Sequence, residues 1–182
     1  IFVVGNGFDL AHELKTSYGN FIDSLTTHTI NNNALLLIVK DHLKTGNWSD
    51  IEYVYFLLLK NSDNLYNFAQ KEFHISLGTR TYSSQDLDKN FTEVKALLEE
   101  YLENEQKKLT LIDEYSKLFK TFNDSDTLIL DFNYTNTISK YLESFDSKIQ
   151  HIKIHGEIKS ESNPIIFGYA ANDEEAKLLI SY

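Results

Sequence analysis

The chain has 182 residues, 42% hydrophobic and 24% charged, which builds one ordinary core; a second independent domain is not expected. Its 17 Lys and Arg against 27 Asp and Glu give a formal net charge of -10, so the average surface repels phosphate backbones and nucleic acid is not an expected partner. The absence of cysteine removes disulfides, thiol nucleophiles and thiolate zinc sites, and no run approaches the roughly 20 apolar residues of a membrane span, so a cytoplasmic protein with no membrane partner is expected.

Ile1 already stands in an apolar run and the chain has no methionine, which together point to a piece of a longer protein and make every spacing a minimum. The opening reads as strand, turn, helix: Ile1-Phe2-Val3-Val4, then Gly5-Asn6-Gly7, then Phe8 to Leu14 at helical spacing. A second short helix is predicted from Thr16 or Ser17, where a hydroxyl can cap it, with Tyr18, Phe21, Ile22 and Leu25 as its apolar stripe.

The middle, 33–118, reads as a helical insertion. Ser49-Asp50-Ile51-Glu52 has the capping-box pattern before the apolar run Tyr53 to Leu59, and Asn90-Phe91-Thr92-Glu93 repeats it before a stripe of Val94, Leu97, Leu98, Tyr101 and Leu102. Leu77 to Asp88, with the only arginine, Arg80, reads as a loop, and Trp48 as a packing anchor.

Short strands return in the last third: Thr127 to Phe132, Ile149 to Ile154 and Pro164 to Phe167, with a helix from Thr137 to Phe145 after the first of them. The predicted fold class is α/β, a Rossmann-like open and mostly parallel sheet in one domain over 1–182, with the helical insertion between the first and later strands.

Polar or glycine residues follow the apolar strands in four places: Gly5-Asn6-Gly7-Phe8-Asp9, Phe132-Asn133-Tyr134-Thr135, His155-Gly156-Glu157 and Phe167-Gly168-Tyr169. In an open parallel sheet, ligands bind outside the carboxyl ends of the strands, so the four segments are expected to meet at one crevice. Gly5-Asn6-Gly7 suits close approach of a phosphate or ribose, because glycine tolerates positive φ and presents no side chain; a plain tight turn explains it equally well. Asp9 and His12, one helical turn apart, are candidates for ribose acceptor, acid/base pair or metal ligands, with metal the least favoured. His155 is the candidate base, since imidazole exchanges protons at neutral pH. Asn133 cannot ionise, but its amide can hold a water or ribose hydroxyl; the alternatives are a structural histidine and an ordinary turn asparagine. Ser49 and Glu52 fit caps better than catalysts.

The blocks VVGNGFDLAHELKTSYGNF, WSDIE, FNYT, IHGE and IIFGY closely resemble, in order and character, the AbiH family of bacterial abortive-infection proteins over essentially the whole chain. In the usual family pattern a glycine and a proline follow the first helix where this chain has Glu13 and Lys15, and members generally continue past the FGY block, so Tyr182 is expected to be a premature end. The resemblance implies a role in stopping phage multiplication, often at the expense of the infected cell. A more distant similarity, in the order glycine turn, Asn-centred turn and His-Gly, is to sirtuin-like domains, including ones in phage defence that cleave NAD. Carried over by motif, Gly5 and Gly7 take the dinucleotide, Asn133 positions ribose and water, and His155 is the base, with Asn6, Phe8, Asp9, His12, Tyr134, Gly156 and Gly168 lining the cofactor site. The four-cysteine zinc module of a sirtuin deacylase is absent, which argues against protein deacetylation, and Phe8-Asp9 replaces the small residue and serine usual there.

Three functions compete. The first is an enzyme hydrolysing NAD or a related nucleotide, where departure of nicotinamide leaves an oxocarbenium-like ribose suited to Asn133 and His155. The second is a non-catalytic module that senses a nucleotide or a phage-derived trigger and signals through the helical insertion. The third, a metal-dependent nuclease or phosphohydrolase using Asp9, His12, Glu52 and Asp131, is weakened by the acidic surface. A small-molecule nucleotide is the expected partner, no resident metal is expected, and association into a homo-oligomer stays open.

Overall fold

The computed structural model describes residues 1–43, 51–61, 64–74, 83–122, 126–143 and 149–166. Trp48, the cap expected at Ser49, the stretch with Arg80, the expected helix end at Phe145 and Gly168 lie outside them. Two compact units are present: Ile1–Phe21 with Leu97–Ile166, and, over its described part, Ile22–Ala96.

The first unit is built on three strands, β1 (Phe2–Val4), β2 (Leu128–Asp131) and β3 (Gln150–Lys153), in the order β1-β2-β3 with both pairings parallel. The architecture is therefore mixed α/β with a small open parallel sheet. In register, Val4 lies beside Asp131 and Asp131 beside Lys153, with Ile129 beside His151 one step earlier on the same face. That face carries the core: Ile129 packs with Phe119, Ile138 and Tyr141, and Val4, Phe8, Tyr115 and Phe122 close around them. The opposite face presents the row Val3, Leu130 and Ile152, in which Val3 is 69% and Ile152 47% exposed.

The third expected strand does not form over its described part, 164–166. Pro164 has no N–H to donate to a ladder. The segment is tied instead to the loop after β3 by two isolated bonds, Glu157 N to Asn163 O at 2.8 Å and Ile166 N to His155 O at 2.9 Å.

Helix α1 (Asn6–Ala11) starts directly after Gly5 and stops earlier than the spacing predicted. Its end is a Schellman motif: Glu13 N donates to Leu10 O at 3.0 Å and Leu14 N to Asp9 O at 3.2 Å. Glu13 itself adopts the left-handed conformation at φ 61°, a position that favours glycine. Helix α2 (Tyr18–Ser24) is capped as expected by Ser17, whose Oγ accepts from Asn20 N at 3.2 Å. Helices α8 (Asp113–Phe122) and α9 (Thr137–Leu142) supply Phe119, Ile138 and Tyr141 to the cluster around Ile129.

The second unit is helical: α3 (Thr27–Asn31), α4 (Ala34–Leu43), α5 (Ile51–Lys60) and α6 (Leu65–Phe73), with the start of α7 (Ser84–Gln106). Helix α7 begins before Asn90, so that asparagine is no N-cap of its own helix. A reciprocal pair does that job, Asp86 N donating to Ser83 Oγ at 3.2 Å and Ser83 N to Asp86 Oδ2 at 2.9 Å. Asn90 caps a neighbour instead: its Oδ1 accepts from Ala34 N at 2.6 Å at the start of α4. Leu35, Leu36, Ile38 and Val39 of α4 are fully buried, which makes α4 the central helix of this unit. No helix among the described residues is long and apolar enough to cross a membrane.

Candidate functional site

The carboxyl ends of the three strands lead into α1, into the turn 132–136 before α9, and into the loop 154–158. The backbone ladder continues one residue past the strands, Phe132 N bonding Val4 O at 2.8 Å and Ile154 N bonding Asp131 O at 2.8 Å, so these three segments leave the sheet side by side. What they bring together is a buried polar cluster beside an aromatic one.

Asp131, fully buried in an otherwise apolar strand, anchors the cluster. Its Oδ1 accepts the backbone N–H of Asn133 at 2.9 Å, which fixes the start of the turn, and its Oδ2 accepts from His151 Nε2 at 3.0 Å and pairs with Lys153 Nζ at 3.7 Å. Strand alternation explains the geometry: Asp131 is registered beside Lys153, and His151, two residues earlier on β3, stands on the same face. Lys153 also donates to the carbonyl of Thr135 and, at 3.2 Å, to Asn136 Oδ1. Burial holds its ammonium below the usual lysine range, against the opposing pull of Asp131.

Asp9 reaches the same turn from α1. Its carboxylate accepts from Thr135 Oγ1 at 2.7 Å and from Thr137 Oγ1 at 2.6 Å. Burial raises its pKa above the ordinary carboxylate value, the Thr137 and Thr135 hydroxyls opposing the shift and the charge of Asp131 adding to it. One residue earlier on the same helix, Phe8 packs against the core, and the His12 side chain has other partners than Asp9. Its Nδ1 lies 2.7 Å from Phe8 O and its Nε2 2.5 Å from Tyr141 Oη, which in turn accepts from Ile112 N at 2.7 Å. Both ring nitrogens of His12 are thus engaged inside the protein, and Asp9 and His12 share no partner.

Two groups at the strand ends are not engaged. Asn133 is only 5% exposed, and its Nδ2 is the one buried side-chain polar atom among the described residues with no hydrogen-bond partner. His155 is half-buried, and its ring nitrogens make no hydrogen bond among the described residues. The residues flanking Asn133 hold its ring, Phe132 edge-on at 5.3 Å between centroids and Tyr134 tilted at 6.1 Å. No hydrogen bond joins Asn133 to His155.

The glycines divide differently from expectation. Gly5 sits at φ -132° and ψ -168°, and Gly7 lies within α1, so neither uses positive φ; an added Cβ would meet nothing within 4 Å at either. The reason is that the helix starts at Asn6, leaving no separate turn. Gly156 is the one that requires glycine, with φ +77° and a Cβ position 2.0 Å from Pro164 O. Asn6 turns its side chain to the chain beyond α1, its Oδ1 accepting from Thr16 Oγ1 at 2.5 Å.

The family model described as Bacteriophage abortive infection AbiH matches residues 1–181. The chain belongs to the AbiH family. No curated protein and no solved structure matches it significantly. Of the motifs that carry the AbiH resemblance in this chain, the opening block, FNYT and IHGE lie at the strand ends, with Asp9, Asn133 and His155 each from a different one. Sequence reasoning passed over Lys153 and His151, and over Asp131 as the anchor of the turn. The available signal was a single charge enclosed in an apolar run, in Ile129-Leu130-Asp131-Phe132 and Ile152-Lys153-Ile154. Among the described residues of this AbiH chain, no three His, Asp or Glu side chains are placed to share a metal ion. A depression of about 420 Å³ lies elsewhere, lined by Glu103, Lys107, Leu111 and Lys140 among others, and includes none of the residues at the strand ends.

Proposed function

We propose that this AbiH-family protein acts in abortive infection as a nucleotide hydrolase, cleaving NAD or a close relative at the carboxyl edge of a Rossmann-like sheet. The observation that carries the proposal is the unpartnered Nδ2 of Asn133. A buried amide donor without an acceptor costs about 1–3 kcal/mol, which a ligand oxygen at that atom relieves. The residues fit a nucleotide in a second respect: Gly5 and Gly7 leave open space beside the backbone, where a pyrophosphate can approach.

In this scheme the amide of Asn133 donates to an oxygen of the substrate's ribose, and Tyr134 and Gly156 line the same edge. Water attacks the ribose carbon that bears the nicotinamide. The C–N bond breaks with its electron pair leaving on the nicotinamide nitrogen, and the water's proton passes to His155, whose ring makes no hydrogen bond among the described residues. Asp9, Asp131 and Lys153 hold the turn that carries Asn133, and His12 supports the core.

The test is nicotinamide release from NAD by the protein, with His155→Ala, Asn133→Ala and Asn133→Asp beside it. Release that falls at least about a hundredfold in the alanine variants supports the hydrolase, since one general base contributes roughly 10²–10⁴ in rate. Nucleotide binding with no release under any condition, including added phage lysate, overturns hydrolysis and leaves a sensing role.

A further inference from the structure

We infer that Phe132 is the stacking platform for the flat heteroaromatic ring of the ligand, and so the residue that selects ring-bearing nucleotides over bare sugar phosphates. The inference rests on the nucleotide reading above.

Phe132 immediately precedes Asn133 at the end of β2, yet the two are treated oppositely by the fold. Asn133 is buried, while Phe132 is 38% exposed despite being the largest apolar side chain of its turn. Its ring meets His155 edge-on, at 84° and 5.3 Å, and His155 is followed by Tyr134 at 6.1 Å and 37°. Three rings from two strand ends therefore stand in a row at the edge where the sheet opens.

The chemistry of the row narrows its occupant. A wholly apolar cover, such as a helix of aliphatic side chains, would desolvate the ring nitrogens of His155 without supplying a partner, which is unfavourable for a polar group. The aliphatic row Val3, Leu130 and Ile152, lower on the same sheet, carries no such polar group. A heteroaromatic ring suits the strand end better. Its flat face stacks on Phe132, and its ring or amide heteroatoms reach an imidazole with no hydrogen bond among the described residues.

The experiment measures binding of NAD, adenosine monophosphate, nicotinamide mononucleotide and ribose 5-phosphate by calorimetry to the wild type, Phe132→Ala and Phe132→Trp. Removing one aromatic partner of a stacked base weakens binding roughly ten- to a hundredfold. That loss is expected in Phe132→Ala for at least one ring-bearing ligand, with ribose 5-phosphate affinity unchanged. In Phe132→Trp, affinity is retained and indole emission falls on binding, relative to the wild-type protein titrated in parallel. Ring-bearing ligands that bind Phe132→Ala as tightly as wild type, or that bind Phe132→Trp without quenching, overturn the platform and leave the nucleotide reading standing. Failure of the wild type to bind any of the ring-bearing ligands overturns both.

Discussion

Gly156→Ala tests the local geometry most directly. At φ +77° an L-residue carries a cost of roughly 1–2 kcal/mol from Cβ against its own backbone. The new Cβ would also lie 2.0 Å from Pro164 O and 2.7 Å from Pro164 C, so one of the two backbones must move. Movement disturbs the bonds from Glu157 N to Asn163 O and from Ile166 N to His155 O, at 2.8 and 2.9 Å. Each such bond contributes about 0.5–1.5 kcal/mol net. The expected loss is roughly 2–5 kcal/mol, a drop in Tm of about 5–15 °C for a chain of this size. Gly7→Ala is the internal control. It lies in α1 with open space around its Cβ, so the change stabilises by up to about 1 kcal/mol. Thermal and urea unfolding followed by circular dichroism read both. A Gly156→Ala protein within about 0.5 kcal/mol of wild type would refute the reasoning, as would a Gly7→Ala protein as damaged as Gly156→Ala.

Further outcomes follow from the same contacts. Glu13→Gly relieves the left-handed residue that ends α1 and is expected to raise the urea midpoint by about 0.5–1 kcal/mol of stability; a decrease would mean that Glu13 makes an interaction worth more than its strain. Asp131→Asn strands the buried ammonium of Lys153 and costs about 3–5 kcal/mol, whereas Asp131→Asn with Lys153→Met loses less than the sum of the two single changes; additive losses would deny the pairing. Asp9 gives a pH signature. Its folded pKa lies above the ordinary 3.8, so the native state holds more protons than the unfolded chain between those two values. The contribution is therefore fully present below the unfolded value and is lost as pH rises through the folded one. Urea midpoints measured from about pH 3.5 to 7 should fall less steeply with rising pH in Asp9→Asn than in wild type, and identical slopes would contradict the shift.

The parts of this fold legible in the sequence are those fixed by short-range chemistry. Apolar runs ending at Gly5, Phe132 and Ile154 located three strand ends, and a hydroxyl at Thr16 or Ser17 before an apolar stripe located α2, which Ser17 caps. Pattern reasoning failed where a residue's partner lies far along the chain. Asn90 has the look of an N-cap for its own helix and caps α4 instead, because Ser83 and Asp86 already start α7 further upstream. Gly5 and Gly7 have the spacing of a left-handed turn, but a helix that begins at Asn6 needs only ordinary φ there. Pro164 to Phe167 has strand composition, yet a proline beside the tight Gly156 loop gives isolated bonds rather than a ladder.

The candidate site was legible by position and not by role, because composition cannot say which polar groups the fold already engages. Asp9, Asp131 and Lys153 are charged and lie close to strand ends, and the first two are among the residues that the sequence offers for chemistry. All three are buried and held by named internal partners, and an ion that leaves such a network strands its counterpart at a cost of several kcal/mol. Chemistry that requires Asp131 or Lys153 to change partners during turnover would bear that cost each time. Asn133 and His155 are chemically milder, and among the described residues the Nδ2 of Asn133 and the ring of His155 have no hydrogen bond to give up to meet a ligand. The same charged network fixes the backbone of Asn133 through Asp131 Oδ1, so the ions act on the site by holding the unengaged amide in place.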